Sequence, residues 1–381
     1  MKSIKTIKGT YATAKIFTCA NPEHELDDYA AAQLQMLCDN PVSQGCKIRI
    51  MPDVHPGKVG TIGLTMTVGE RVMPNIVGID IGCGMTMAEI GGKRVEFQKL
   101  DTVIREHVPS GFHIRSAVHR LADAFDFSRL ACAGKIRKEK ALHSLGTLGG
   151  GNHFIEIDKD DENHTYAVVH SGSRHLGKEV TEYYLSQGQK HLKEKGEDVP
   201  YELTWLEGAL KDDYIHDLEI VQEYAALNRQ IMLEEIAKGM KWKIKDLHSC
   251  IHNYVDLSTE QPILRKGAIS AKEGEFVIIP INMRDGILLG TGRGNEDWNV
   301  SAPHGAGRIL KREDVKSAHT LAEFKKTMKG IYSPSINKET LDEAPFAYRG
   351  REEIEAVIGD TVSISKTIRP VYNFKAGAET K

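Results

Sequence analysis

Residues 46–90 read CKIRIMPDVHPGKVGTIGLTMTVGERVMPNIVGIDIGCGMTMAEI. Runs of Val, Ile and Met are broken by Pro56-Gly57, Gly60, Gly63, Gly69 and Gly82, the pattern of strands joined by tight turns. The pattern changes on either side. Residues 25–40 predict a helix, with Asp27 and Asp28 at its positive end and Pro41 beyond its last turn. Residues 98–143 look helical and amphipathic, and 145–170 return to strand and glycine loop. The clearest helix spans about 211–240, where Tyr214, Leu218, Val221, Ala225, Met232 and Ile236 recur at helical spacings. Residues 246–290 are strand-like, 305–330 and 349–358 helical, and Thr361–Phe374 a strand; the polar Gly188–Val199 is the weakest region for order. Helical and strand blocks without regular βαβ alternation predict an α+β fold. With no linker or repeat, residues 1–381 read as one domain.

The chain has 381 residues, 40% hydrophobic and 27% charged, an ordinary globular composition. Its charge, 50 − 53 = −3, excludes a general basic coat but not a local basic groove. Cys19, Cys38, Cys46, Cys83, Cys132 and Cys250 are scattered and form no CxxC pair, which argues against a disulfide scaffold and for a reducing compartment. No stretch approaches the ~18 apolar residues of a membrane span. The opening MKSIKTIKGTYATAKIF has no apolar core of a signal peptide, so a cytoplasmic location is expected.

Four segments carry candidate chemistry. In Val77–Met85, Asp80 and Cys83 are flanked by Gly78, Gly82 and Gly84. A lone cysteine is usually a small core residue, but the glycines suit close approach to a ligand. In Gly149–Glu156, His153 follows three glycines and Asn152. In Val168–Arg174 an apolar strand runs into His170 and a Ser-Gly-Ser turn. The fourth segment holds His252, and later His304 between Pro303 and Gly305, immediately before an expected helix whose N-terminus would favour phosphate and lower the imidazole's pKa. Asp80, Cys83, His153, His170 and His252 together offer one carboxylate, one thiolate and three imidazoles. That set suits one zinc, or two borderline cations sharing the thiolate, and spacing alone does not decide.

The motifs MPDVHPGKVGTIG (51–63), GIDIGCGM (78–85), LGTLGGGNHFIEI (145–157), VVHSGSRHLG (168–177) and SAPHGAGR (301–308) resemble those of the RtcB family of RNA ligases, in the same order and over nearly the whole chain. The resemblance implies an RtcB-like fold, a mixed and antiparallel sheet core around a metal site flanked by helices. It implies GTP- and manganese-dependent joining of an RNA 2′,3′-cyclic phosphate or 3′-phosphate to a 5′-hydroxyl, through a guanylylated His304 and an RNA-(3′)pp(5′)G intermediate, in repair of tRNA or ribosomal RNA. Two Mn2+ ions are implied, with Zn2+ or Co2+ as alternative occupants. Asp80, Cys83 and His153 would hold one; Cys83, His170 and His252 would hold the other. Asn152, Glu156, Asn253, Gly305, Ala306, Tyr348 and Lys375 would bind the nucleotide. Arg174, Arg308 and Arg312 would hold RNA phosphates, Asp53 would assist proton transfer at the RNA ends, and Asn228-Arg229 would face RNA or solvent. RNA and GTP are the implied partners; a protein activator is left open.

One stretch departs from the family pattern. Where many members carry Gly-Ser-Met-Gly, this chain has Ile281-Asn-Met-Arg-Asp-Gly286, at the place expected to meet the guanine base. That departure motivates an alternative, a metal-dependent RNA-end phosphohydrolase that does not ligate.

Overall fold

A computed structural model describes residues 2–19, 21, 26–91 and 95–376. Two sheets organise it. The first has six strands in the order Lys2–Lys8, Thr13–Cys19, Ile48–His55, Ile62–Thr67, Ile263–Lys266, Asn253–Asp256. The second has seven, in the order Lys243–Ile251, Gly84–Gly91, Thr165–Ser171, Phe154–Lys159, Val362–Phe374, Gly286–Gly292, Phe276–Asn282. Thr13–Cys19 and Ile48–His55 pair in parallel; the other pairings in the two sheets are antiparallel. The α+β class and the sheet core follow the sequence expectation. The two sheets share a chain passage: Lys243–Ile251 ends the second, His252 crosses, and Asn253–Asp256 enters the first.

The seven-stranded sheet is covered on both faces, and strand alternation sorts its side chains. Ala88, Ile90, Ile155, Ile157, Ala167 and Val169 face one cluster, with Leu100, Met232 and Ile236. Met85, Met87, Phe154, Tyr166 and Val168 face the other, with Ile278, Ile287 and Leu289. The helix Gly208–Met240, 33 residues and about 50 Å long at 1.5 Å per residue, crosses from one core cluster to another. Its first half packs Tyr214, Leu218 and Val221 with Val180 and Tyr184. Its second half packs Met232 and Ile236 on the sheet.

Several boundaries differ from the sequence expectation. The helix expected over 25–40 is Asp28–Cys38, capped by the Asp27 side chain, and Glu25 lies outside the described residues. The helix expected over 98–143 is only Phe97–His107 and Lys138–Ser144, joined by turns. The expectation of weak order over 188–199 is overturned for its first half: the helix Arg174–Glu194 runs through it and buries Tyr184, Leu185, Gly188 and Leu192. Two glycines mask this helix in the sequence. They sit where it packs closely: a β-carbon at Gly177 would lie 2.7 Å from the Ile79 carbonyl oxygen, and one at Gly188 would lie 2.6 Å from Thr204. Residues 305–330 hold two short helices, Arg312–Ala318 and Leu321–Thr327. His304 therefore does not immediately precede a helix N-terminus, since the next helix begins at Arg312.

No helix among the described residues is long and apolar enough to cross a membrane. All six cysteines are unpaired.

Candidate active site

Four side chains converge because antiparallel neighbours bring opposite strand ends together. Cys83 precedes the strand Gly84–Gly91, His252 follows Lys243–Ile251, His170 lies near the end of Thr165–Ser171, and His153 precedes Phe154–Lys159. The register aligns Gly84 with Ser171 and Ile251, and Phe154 with His170. Asp80 enters from the preceding turn.

Donor atoms of Asp80, Cys83 and His153 lie within 4.8 Å of one another, as do those of Cys83, His170 and His252, so Cys83 belongs to both groups. Its Sγ is 3.4 Å from Nε2 of both His153 and His170. His153 Nε2 is 3.0 Å from Asp80 Oδ2, and His170 Nε2 is 3.3 Å from His252 Nε2. His153 Nδ1 donates to the Leu148 carbonyl (2.8 Å) and His170 Nδ1 to that of Asn152 (3.2 Å). Those bonds turn both Nε2 lone pairs inward, as metal-ligating histidines require. Gly172 is fixed by the same cluster: a β-carbon there would lie 2.1 Å from Asp80 Oδ1.

Burial holds His170 and His252 neutral, well below the usual histidine range. Burial and then the Asp80 charge push the Cys83 thiol well above its usual value. Burial opposes charge on Asp80, but His153, Cys83 and Arg174 outweigh it and hold the carboxyl below its usual range. A thiolate, a carboxylate and three imidazoles fit borderline divalent cations, and the thiolate favours zinc or cobalt at least as much as manganese. The thiol must lose its proton when a cation binds, whereas the two imidazoles have none to lose. Affinity should therefore rise about tenfold per pH unit between about pH 6.5 and 8.5, with about one proton released. Calorimetry in buffers of different ionisation heat measures this; a pH-independent affinity would remove Cys83 from the ligand set.

His304 follows the short strand Ser301–Pro303, and its ring centre lies 4.7 Å from that of His252. Its Nδ1 donates to Asp53 Oδ2 at 2.7 Å. That leaves Nε2, across the ring, with the free lone pair. Asp53 is fully buried, and its carboxylate orients His304. His55 lines the cleft beside this pair, its Nδ1 2.8 Å from the Asp53 carbonyl oxygen, and burial pushes its pKa down to about 4.

A cleft opens beside these groups. Asn152, Glu156, Gly305, Ala306, Tyr348 and Lys375 line it. Asn253 is not among the lining residues. Its Nδ2 donates to the Asp80 carbonyl (3.2 Å) and its Oδ1 accepts from the Gly267 amide (3.0 Å), so its side chain braces the turn that carries Asp80. Glu156 is buried beside Asp158; desolvation raises both carboxyls, and Asn373 donates to Glu156. The divergent turn closes on itself: Asn282 Oδ1 accepts from the amides of Arg284 and Asp285, while Ile281, Asn282 and Met283 face the cleft.

The three arginines expected at RNA phosphates are held differently. Arg308 and Arg312 converge with Lys375 on Glu343, a buried carboxylate kept at about 2 by Lys375, Arg312 and Arg308 against its desolvation. Tyr348 donates to the same carboxylate at 2.7 Å. Arg174 lies flat against Gly149, where a β-carbon would meet its Nη1 at 1.9 Å, and donates to Gly111 O at 3.1 Å.

Asn228 and Arg229 neither face RNA nor solvent; both are fully buried behind the metal-ligand loops. Asn228 Oδ1 accepts from the Gly146 and Thr147 amides (2.7 and 3.0 Å), and its Nδ2 donates to the Gly172 carbonyl (3.0 Å). Arg229 donates to the Gly82 and Ser171 carbonyls (2.8 and 2.9 Å). One residue pair on the long helix thus fixes the loops bearing Asp80, Cys83 and His170. Their polarity on a strongly periodic apolar helix was the available signal: such residues inside a buried face must find partners. Asn228→Ala would orphan several buried groups and should cost about 3–5 kcal/mol. Urea unfolding checks this; a loss under about 1 kcal/mol would mean water replaces the amide.

The family model described as tRNA-splicing ligase RtcB matches residues 33–133 and 126–376. The RNA-splicing ligase RtcB of Escherichia coli strain K12 is 30% identical, with 86% of this chain and 90% of that protein covered. An Escherichia coli RNA-splicing ligase RtcB2 is 27% identical over 94% of this chain and 95% of its own. The tRNA-splicing ligase RtcB of Nanoarchaeum equitans is 27% identical over 86% and 87%.

Proposed function

The chain belongs to the RtcB family, and from that premise we propose that it is an RNA ligase. It joins a 3′-phosphate or 2′,3′-cyclic phosphate end to a 5′-hydroxyl end in RNA repair, using GTP. The observation that carries this reading is the juxtaposition of two donor groups sharing Cys83 with a histidine whose Nδ1 is held by a buried carboxylate.

In the proposed sequence, Nε2 of His304 attacks the α-phosphorus of GTP; the N–P bond forms and pyrophosphate leaves. Asp53 holds the Nδ1 proton and offsets the positive charge that develops on the ring. A cyclic phosphate end is first opened by water to the 3′-phosphate. An oxygen of that phosphate then attacks the guanylyl phosphorus, breaking the N–P bond and regenerating His304. The RNA 5′-hydroxyl attacks the activated 3′ phosphorus, losing its proton, and GMP leaves. Divalent cations, two Mn2+ in this proposal, held by Asp80, Cys83, His153, His170 and His252 would neutralise phosphate charge and favour ionisation of an attacking hydroxyl.

Asn152, Glu156, Gly305, Ala306 and Lys375 are the proposed nucleotide contacts, with Tyr348 supporting through Glu343. Arg308 and Arg312 would reach phosphate only by exchanging part of their hold on Glu343. Because the donor residues flank the second sheet while Asp53, which holds His304, comes from the first, residues 1–381 are proposed to act as one catalytic domain.

A joining assay with defined 3′-phosphate and 5′-hydroxyl RNAs tests the reading. Product should require both GTP and a divalent metal. Joining that proceeds equally without GTP would contradict it, and phosphate release without joining would favour the phosphohydrolase.

A further inference from the structure

A second trough meets the cleft at Arg312 and Glu343. Its walls carry Phe112, Gly150 and Gly151, with the cations Arg174, Arg312 and Lys316 and the carboxylates Glu339, Asp342 and Glu343; Asp342 and Glu343 are already held by Arg308, Arg312 and Lys375. Phe112 is 81% exposed, the most exposed of the large hydrophobic side chains among the described residues. An exposed apolar residue alone needs no explanation, but this one stands on a braced loop. Gly111 N donates to Gly149 O (2.9 Å), Leu148 N to Pro109 O (2.9 Å), His113 N to Ser110 O (3.2 Å), and Arg174 Nη2 to Gly111 O (3.1 Å). The backbone beneath the ring is thus tied to the glycine loop that carries His153. Neither Arg174 nor Lys316 has an ion-pair partner among the described residues.

We infer that Phe112 is a stacking platform for a base of the RNA strand that lies in this trough, one or a few nucleotides from the reacting end. This rests on the RNA-ligase reading and adds to it a residue outside the nucleotide cleft. A single strand in such a groove needs cations along its phosphates and an aromatic face for a base. Lys316 and Arg174 supply the cations, Arg174 sharing its charge with Asp80, and Gly150 and Gly151 leave a floor without side chains. A planar ring fixed on a braced loop stacks with little loss of entropy, and the contact tolerates any base because every base has a π face. A protein partner would also cover an exposed Phe, but the glycine-floored trough opens onto the cleft, and Arg308, Arg312 and Lys375 already offset its Asp342 and Glu343, which favours a nucleic-acid strand.

The test uses the full chain and a short RNA ending in a 3′-phosphate, with 2-aminopurine placed at successive positions from that end. Wild-type protein should quench one position near the end. Phe112→Ala should abolish that quench and weaken RNA binding about tenfold or more, as loss of one base stack does. Phe112→Trp should restore both, and in joining assays the Ala variant should raise KM for RNA far more than it lowers kcat. Thermal melting verifies that the Ala variant is folded, as expected for so exposed a position. Quench and affinity unchanged in Phe112→Ala would overturn the inference and leave the ring to a protein partner; failure of Trp to rescue would overturn it too. If wild-type protein quenches the probe, and Phe112→Ala does not, yet nothing is joined with GTP and metal, the ligase reading falls while the stacking platform stands.

Discussion

Cys83→Ala should empty both cation sites at once. Sγ belongs to both donor groups, so its loss leaves Asp80 with His153 on one side and His170 with His252 on the other, two ligands each. Two-ligand sites bind borderline cations weakly compared with three-ligand ones. His153→Ala removes a donor from only one group and should leave the second cation bound. Metal analysis after gel filtration should therefore give near-zero occupancy for Cys83→Ala and about half for His153→Ala. Joining should fall by a factor on the order of 10³ or more in Cys83→Ala, since charge neutralisation supplies most of the acceleration in phosphoryl transfer. Equal occupancy in both variants would mean that Cys83 does not bridge. Cys83→Ala changes little volume in a tight pocket, so the fold should hold.

His304→Ala carries the largest expected loss. On the proposed mechanism it removes the nucleophile, and joining should fall by about 10⁵-fold or more, the scale seen when a covalent nucleophile is deleted. Asp53→Asn separates orientation from attack. The amide can still hold the ring but carries no charge to balance the imidazolium, so the rate should fall by about 10²–10⁴ while RNA affinity stays near wild type. Joining of a pre-guanylylated RNA 3′ end, which bypasses His304, should survive in both variants. If His304→Ala blocks that step as well, the histidine serves the final attack and the proposed order is wrong.

The class of fold and the cluster of candidate metal donors are legible because both leave short-range marks. Alternating Val, Ile and Met broken by glycine gave the strands of 46–90, seen as Ile48–His55, Ile62–Thr67 and Gly84–Gly91. Asp80, Cys83 and His153 stood out as polar donors among glycines. What joins them is antiparallel register between Gly84–Gly91, Thr165–Ser171 and Lys243–Ile251, a long-range property that no local pattern encodes. Three features escaped for the same reason. The helix Arg174–Glu194 was hidden by glycines that look like helix breakers and are required by its neighbours. No local pattern marks Asn228 and Arg229 as buried, because their partners lie about 56 to 147 positions away in sequence. Glu343, at the centre of three cations, sat in an unremarked stretch, so Arg308 and Arg312 looked free when a carboxylate already holds them.

The central claim is that His304 carries GMP. Intact-mass analysis of the full chain after incubation with GTP and manganese measures it directly, without RNA. The account predicts a mass gain of one GMP, mapped by peptide analysis to His304, lost in acid as a phosphorus–nitrogen bond is, and absent from His304→Ala. No adduct on the wild-type chain, or an adduct on another residue that persists in His304→Ala, would contradict it.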